Sequence, residues 1–266
     1  MASPTPLTIK VSLPQLAKLI DHALLQPTLT DAEILTGLQT AKQHNVATAC
    51  IKPYSIPAAV TALAGSPVLI CSVIGFPHGN STTEVKVFEA RSAVDAGAHE
   101  IDMVVNGGKV LGGDWRYVEE EIQAINDAVV GKGAVLKVIF ENDYLRDEHI
   151  VKLCEICTRV GVAFVKTSSR YGFVKKANGD YNYKGATVRH VELMRRCCGE
   201  GVRIKAAGGV RTVDEFLWMM HLGVARVGTS GTVGILEEAR RRGIGDEEVE
   251  VQLVPPGEVS SSSGGY

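Results

Sequence analysis

Along the 266-residue chain, short runs of apolar and β-branched residues alternate with longer stretches in which apolar residues return every three or four positions. The short runs fall at 19–22, 46–52, 68–76, 99–105, 134–140, 163–167, 202–207 and 225–229. The longer stretches fall at 31–45, 56–64, 82–97, 114–130, 147–160, 187–198, 212–222 and 230–242. A 3.6-residue period predicts amphipathic helices, and short apolar runs bounded by turn residues predict strands. The strands are rich in Val and Ile, so both of their faces are expected to be covered, as a parallel sheet flanked by helices requires. Regular alternation of the two elements predicts an α/β fold. Eight units in about 230 residues fit a (β/α)8 TIM barrel better than an open doubly wound sheet.

Local signals punctuate this pattern. Thr30-Asp31-Ala32-Glu33 has the form of a capping box, and Gly97, Gly161 and Gly223 stand where helices should end. The stretch 170–186, RYGFVKKANGDYNYKGA, has no clear period and reads as a long connection after the strand at 163–167. Long loops of this kind are often functional. Composition does not shift within the chain, so one domain is expected over 1–254, including an N-terminal helical segment. A polar, glycine-rich tail, PPGEVSSSSGGY, occupies 255–266 and is expected to be flexible.

With 45% hydrophobic and 22% charged residues, the composition is that of a soluble globular protein. A formal net charge of -2 and the lack of a long basic run argue against nucleic acid or an anionic membrane as a principal partner. No run approaches 18 uninterrupted apolar residues, and the first residues lack the basic-then-apolar form of a secretory signal, so a cytoplasmic location is expected. In a reducing compartment the six cysteines should be free thiols. Cys154 and Cys157 lie one turn apart on a predicted helix, and adjacent Cys197 and Cys198 are poorly placed to share a tetrahedral ion with them. The seven histidines form no H-E-x-x-H or H-x-H, and neither a G-x-G-x-x-G behind a strand nor a Walker loop is present. Metal chemistry finds little support in these spacings, although a cluster of distant residues stays open, and nucleotide binding through those motifs is not expected.

Barrel active sites gather at the C-terminal ends of the strands, where the following loops meet. Asp21, Asp102, Lys166 and Lys205 all stand late in predicted strands, with Glu100 and Lys137 nearer mid-strand. A single lysine at a strand end is ordinarily a solvated charge on a snorkelling stem. Here two lysines end apolar runs in the parallel segments GVAFVKTSS and GVRIKAAGG, with an aspartate late in a third strand. Burial disfavours an ammonium and a second ammonium nearby disfavours it further, so an amine partly neutral near pH 7 is expected. Such an amine can form a Schiff base with a carbonyl. Asp102 then reads either as a proton carrier or as a structural carboxylate between the amines. The clusters AAGGVR (206–211) and VGTSG (227–231) follow the seventh and eighth strands and open helices, the places where barrels bind phosphate through backbone amides. Tight turns alone could explain those glycines, but both clusters fall on the expected pair of strands, so phosphate is the favoured reading.

The segments EIDMVVN, VKTSS, IKAAGGVR and VGTSG, with LIDHALL, CIKP and IGFPHGNSTTEVKVFEA, resemble the deoxyribose-phosphate aldolase family of class I aldolases over roughly 16–240. The resemblance implies a (β/α)8 barrel that reversibly cleaves 2-deoxy-D-ribose 5-phosphate to D-glyceraldehyde 3-phosphate and acetaldehyde without a metal or organic cofactor. It implies Lys166 as the Schiff-base lysine, Lys205 as the second lysine and Asp102 as the acid and base partner working through a water. Asp21 would support Lys205, while Gly208, Gly209, Gly228 and Ser230 would hold the phosphate, and Tyr266 would reach back to help move a proton. A homodimer, or a tetramer, is the implied assembly. Ala23 stands where many members have threonine, Gly231 replaces a serine, and the loop after Lys166 is longer and more basic than usual. Arg170, Lys175 or Lys176 could take over the phosphate binding that those changes weaken. Rival readings are a Schiff-base aldolase of different substrate and a non-catalytic barrel that binds a sugar phosphate or a protein partner.

Overall fold

The computed structural model describes residues 6–175, 177–182 and 184–255; Lys176, Tyr266 and the rest of the tail from 256 lie outside the described residues. In chain order, β1 (Thr8–Val11) and α1 (Leu13–Leu19) come first. Then follow β2 (Ile20–Leu24), α2 (Asp31–Gln43), β3 (Thr48–Ile51), α3 (Ile56–Ala62), β4 (Leu69–Ile74) and α4 (Thr83–Asp95). Next are β5 (Glu100–Val104), α5 (Gly107–Leu111), α6 (Trp115–Val130), β6 (Val135–Ile139), α7 (Asp147–Val160) and β7 (Phe164–Lys166). A hairpin of β8 (Val174–Lys175) and β9 (Tyr181–Asn182) leads to α8 (Val188–Cys197), β10 (Arg203–Ala207), α9 (Val213–His221), β11 (Arg226–Thr229), α10 (Thr232–Arg241) and β12 (Val249–Gln252).

Eight strands close into a barrel in the order β10-β11-β2-β3-β4-β5-β6-β7, every neighbouring pair parallel. This is the (β/α)8 architecture that the alternating pattern predicts. Thr30 and Glu33 form the expected capping box of α2, and α7 ends on Gly161 in the left-handed region at φ 75°. A second element, unread in the sequence, pairs β1 with β12 in antiparallel register, Thr8 opposite Gln252 and Val11 opposite Val249. Their four-residue length is too short for alternation to stand out against loop composition. The stretch 170–186 likewise departs from the expected irregular connection. Val174 pairs with Asn182 and Lys175 with Tyr181, and Phe173 packs edge-on against Tyr181 with ring centroids 6.1 Å apart.

The side chains of each barrel strand alternate between two environments. Those pointing outward, such as Ile101, Met103, Leu136, Val138, Val165 and Ile204, join one large apolar core beneath the helices. Those pointing inward form a smaller apolar group, Leu25, Cys50, Cys71 and Val73, and below it a layer of charged groups. Cys154 and Cys157 are buried in the outer core on α7, as their helical spacing suggests.

One buried ion pair ties the outer helices to the strand that carries Asp102. Lys86 on α4 donates to Glu121 on α6 at 2.8 Å and to the carbonyl of Val104 at the end of β5 at 2.9 Å. The same glutamate accepts the backbone N–H of Asn106 at 3.2 Å. Both charged side chains are fully shielded from solvent, so removing one strands the other in an apolar medium. Lys86→Ala should therefore cost about 3–5 kcal/mol in chemical denaturation, whereas the double change Lys86→Met with Glu121→Leu should recover most of it.

Candidate active site

The inward-facing layer is assembled by strand register. Lys166 of β7 pairs with Lys205 of β10, Lys205 with Arg226 of β11, and Asp102 of β5 with Lys137 of β6. Parallel pairing places partners side by side on one face, so these groups converge within the barrel even though the chain separates them widely.

At the centre stands the Asp102 carboxylate. Its Oδ2 accepts from Lys166 Nζ and from Lys205 Nζ, each at 2.8 Å, while Oδ1 accepts from Lys137 Nζ at 2.9 Å and from the Cys71 thiol at 3.1 Å. Asp21 pairs closely with Lys205 and lies 3.6 Å from Lys137, and Glu100 receives Lys137 at 2.5 Å. Arg226 closes the layer from below, 3.3 Å from Asp21 and 3.4 Å from Glu100, with its guanidinium over the Phe164 ring. Three carboxylates thus face four basic side chains, all of them buried except the partly exposed Arg226.

Burial works against the charge on Asp102, yet the ammonium groups of Lys137, Lys166 and Lys205 outweigh it and hold the carboxyl well below the usual carboxylate range. Asp21 is also held low, burial being overcome by Lys205 and Lys137. For Lys205, burial is outweighed by Asp102 and Asp21, which hold its amine above its ordinary value, and Lys137 is raised in the same way by Asp102 and its neighbours. The two amines expected to repel one another are therefore bridged by one oxygen of an ionised carboxylate. The reason is that Asp102 stands on β5, separated from β7 by β6 and from β10 by β6 and β7, and meets both amines inside the lumen, which sequence order does not reveal.

The three amines are not equivalent. Among the described residues Lys137 and Lys205 each pair with more than one carboxylate, whereas Lys166 pairs with Asp102 alone. Lys166 and Lys205 also line a cleft of about 190 Å³, shared with Cys50, Ser169, Gly208 and Ser230. Cys50, Cys71 and Asp102 each offer a metal-ligand atom within 4.8 Å of the others, as do Asp21, Cys71 and Glu100. Ammonium groups already occupy the donor directions of those carboxylates, so a cation would meet positive charge there.

The glycine clusters form the other wall. Gly208 and Gly209 leave β10 with φ of 83° and 89°, and Gly228 faces Lys205 so closely that a Cβ would lie 3.3 Å from Lys205 Cε. Gly208, Gly228 and Ser230 line both the amine cleft and an adjoining one of about 250 Å³, which Gly209 and Arg211 also line. Ser230 precedes Gly231, the N-cap of α10, whose free backbone N–H groups suit an anion. Arg170 donates to Ser230 Oγ at 3.0 Å, bridging the loops after β7 and β11. His22, beside Asp21, bonds Thr232 of α10 at 2.8 Å, and burial lowers its pKa to about 4, so it is a neutral tie between elements.

Lys137, Cys71, Glu141 and Ser169 belong to this region but carry no assigned role from sequence alone. Lys137 is a lone lysine within an otherwise apolar strand, which is a signal of an inward-facing charge. Glu141, left-handed at φ 59°, accepts the Ser169 N–H at 3.1 Å and also takes the Ser169 hydroxyl. Nothing in the local sequence distinguishes it from a solvated glutamate.

A closed parallel barrel with a buried lysine lining a cleft has the architecture of a (β/α)8 enzyme. Residues 16–236 match the family model of the DeoC/LacD family aldolases. The chain is 44% identical over 235 residues to the deoxyribose-phosphate aldolase of Rhodopirellula baltica, covering 88% of this chain and 93% of that one. The corresponding enzyme of Thermococcus gammatolerans is 42% identical over 227 residues, 85% and 96% of the two chains. The solved tetrameric deoxyribose phosphate aldolase of Aeropyrum pernix superposes with a TM-score of 0.76 at 29% identity, over 85% and 92% of the chains. This chain is a member of the DeoC/LacD family of aldolases.

Burial raises the Glu141 carboxyl from 4.5 to about 7, although its bonds from Ser169 pull the other way. The folded protein therefore holds that proton more firmly than the unfolded chain between those values. Stability contributed by the protonated group is present below the window and is lost as pH rises through it. The loss attributable to Glu141 is roughly 3 kcal/mol across the window, so the stability difference between wild type and Glu141→Gln should drift by that amount in denaturant unfolding followed from acid to neutral pH.

Proposed function

We propose that the protein reversibly cleaves 2-deoxy-D-ribose 5-phosphate to D-glyceraldehyde 3-phosphate and acetaldehyde through a Schiff base on Lys166. One observation carries the assignment of roles: a single oxygen of Asp102 receives both Lys166 and Lys205 at 2.8 Å, at the base of a cleft whose other wall is the two glycine loops.

In the cleavage direction, neutral Lys166 attacks the C1 aldehyde of the open-chain sugar, and loss of water gives an iminium ion. Asp102, acting through a water, accepts the proton of the C3 hydroxyl. The electrons of that O–H bond form the new C3 carbonyl, the C2–C3 bond breaks, its pair forms the C1=C2 double bond, and the C=N π pair moves to the nitrogen to leave an enamine. Glyceraldehyde 3-phosphate departs. Protonation of the enamine at C2 and addition of water release acetaldehyde and regenerate the lysine. Asp21 keeps Lys205 charged, and Lys137 keeps Asp102 ionised. Gly208, Gly209, Gly228 and Ser230 receive the 5-phosphate through backbone and hydroxyl donors. Tyr266 is assigned the help in protonating the enamine on the strength of the resemblance alone.

No helix among the described residues is long and apolar enough to cross a membrane. A cytosolic location and an assembly of two or four copies complete the reading.

Borohydride added with deoxyribose 5-phosphate should fix a covalent adduct on the peptide that carries Lys166. Lys166→Leu should abolish both adduct and turnover while circular dichroism still reports a folded barrel. An adduct on Lys205, or none at all, would show the assignment to be wrong.

A further inference from the structure

We propose that Glu141, acting through Ser169, positions Arg170 as a cationic ligand for the phosphate group of the substrate, so that this unit sets the preference for phosphorylated over unphosphorylated sugars. The inference rests on the sugar-phosphate aldolase reading above and adds residues to it.

Arg170 has φ of 78°, a left-handed conformation that a long side chain adopts only when its surroundings hold it. Among the described residues only Asn45, Glu141 and Arg170 are non-glycine residues of positive φ, and two of these three belong to one hydrogen-bonded unit. The Glu141 carboxylate accepts the N–H of Ser169 at 3.1 and 3.2 Å and also takes its hydroxyl. Ser169 Oγ in turn accepts the N–H of Tyr171 at 2.9 Å. Arg170 thus lies between Ser169, which Glu141 holds, and Tyr171, whose N–H is fastened to that serine. Gly172 lets the chain pass over the carboxylate, since a Cβ there would lie 2.6 Å from the Glu141 carboxyl carbon.

The outcome of this bracing is directional. Arg170 sends its guanidinium across to Ser230 Oγ at 3.0 Å, and its side chain lines both clefts between the amines and the N-terminus of α10. Among the described residues no carboxylate pairs with Arg170, although exposed arginines elsewhere in the chain, such as Arg159 and Arg242, do find one. A strained backbone, a buried brace and a guanidinium without an anion, all at the rim of loops built from glycine, serve an incoming phosphate. Arginine suits this task because its fork bonds two phosphate oxygens at once.

Steady-state cleavage of 2-deoxy-D-ribose 5-phosphate and of 2-deoxy-D-ribose supplies the test, read as the ratio of the two kcat/KM values. Arg170→Ala should lower that ratio by at least about tenfold, mainly through KM for the phosphorylated sugar, the size expected for one missing charge-assisted hydrogen bond. Glu141→Ala and Ser169→Ala should lower it similarly, and neither should lower it further in the Arg170→Ala background. Ser169→Ala keeps the brace testable if Glu141→Ala fails to fold. A ratio within twofold of wild type for Arg170→Ala overturns the inference alone. Brace variants that slow both sugars equally, or that add their losses to those of Arg170→Ala, overturn the positioning role. Wild-type protein that cleaves neither sugar removes the aldolase reading and this inference with it.

Discussion

The interior of this barrel is organised by a single carboxylate that three ammonium groups share. Asp102 is fully buried, and an isolated charge in such a place would be prohibitively costly to desolvate. It is tolerated because Lys137, Lys166 and Lys205 reach it from β6, β7 and β10, on two different oxygens. Each lysine is itself tolerated for the same reason. The charges are mutually required, so the layer works as a unit whose members cannot be valued one at a time.

That interdependence explains why the amines differ. Lys205 and Lys137 are surrounded by additional carboxylates from β2 and β5, and burial, which would otherwise strip their protons, loses to those partners. Lys166 sits at the last position of β7, pairs only with Asp102 among the described residues, and opens on the cleft. The carboxylates around each amine thus set Lys166 apart from Lys137 and Lys205. The outer shell contributes through the Lys86–Glu121 pair, which binds the end of β5 and so supports the strand that bears Asp102.

The loops above the layer follow a different rule. They are glycine-rich where the backbone must approach closely, and the hairpin after β7 is fastened at its base rather than left to wander. Asp143 accepts the N–H groups of Lys184 and Gly185, each at 2.9 Å, and Ala186 donates to the carbonyl of Gly208 at 2.9 Å. Gly185 lies so close to Gly208 that a Cβ would stand 2.6 Å from its carbonyl oxygen. The extra length of this connection is therefore tied directly to the loop assigned to the phosphate.

Much of this was legible in the chain itself. Periodicity set the strands and helices because burial of one helix face or both strand faces is a local, repeating demand that composition must answer. The capping box at Thr30 and the helix stop at Gly161 follow from the same local rules, whereas of the four residues expected late in strands only Lys166 ends one: Asp21 is second in β2, and Asp102 and Lys205 stand at the middle of β5 and β10. The short β1–β12 pair and the β8–β9 ladder escaped because two to four residues carry too little period to be read. Lys137 was visible only as a charge in an apolar run, and Glu141 not even as that. What the tertiary structure alone decided is the company each charge keeps: that one oxygen of Asp102 receives both Lys166 and Lys205, and that Glu141 holds Ser169. Closure of the barrel brings together groups dozens of residues apart, and the energy of a buried charge depends on those neighbours, which no local pattern records.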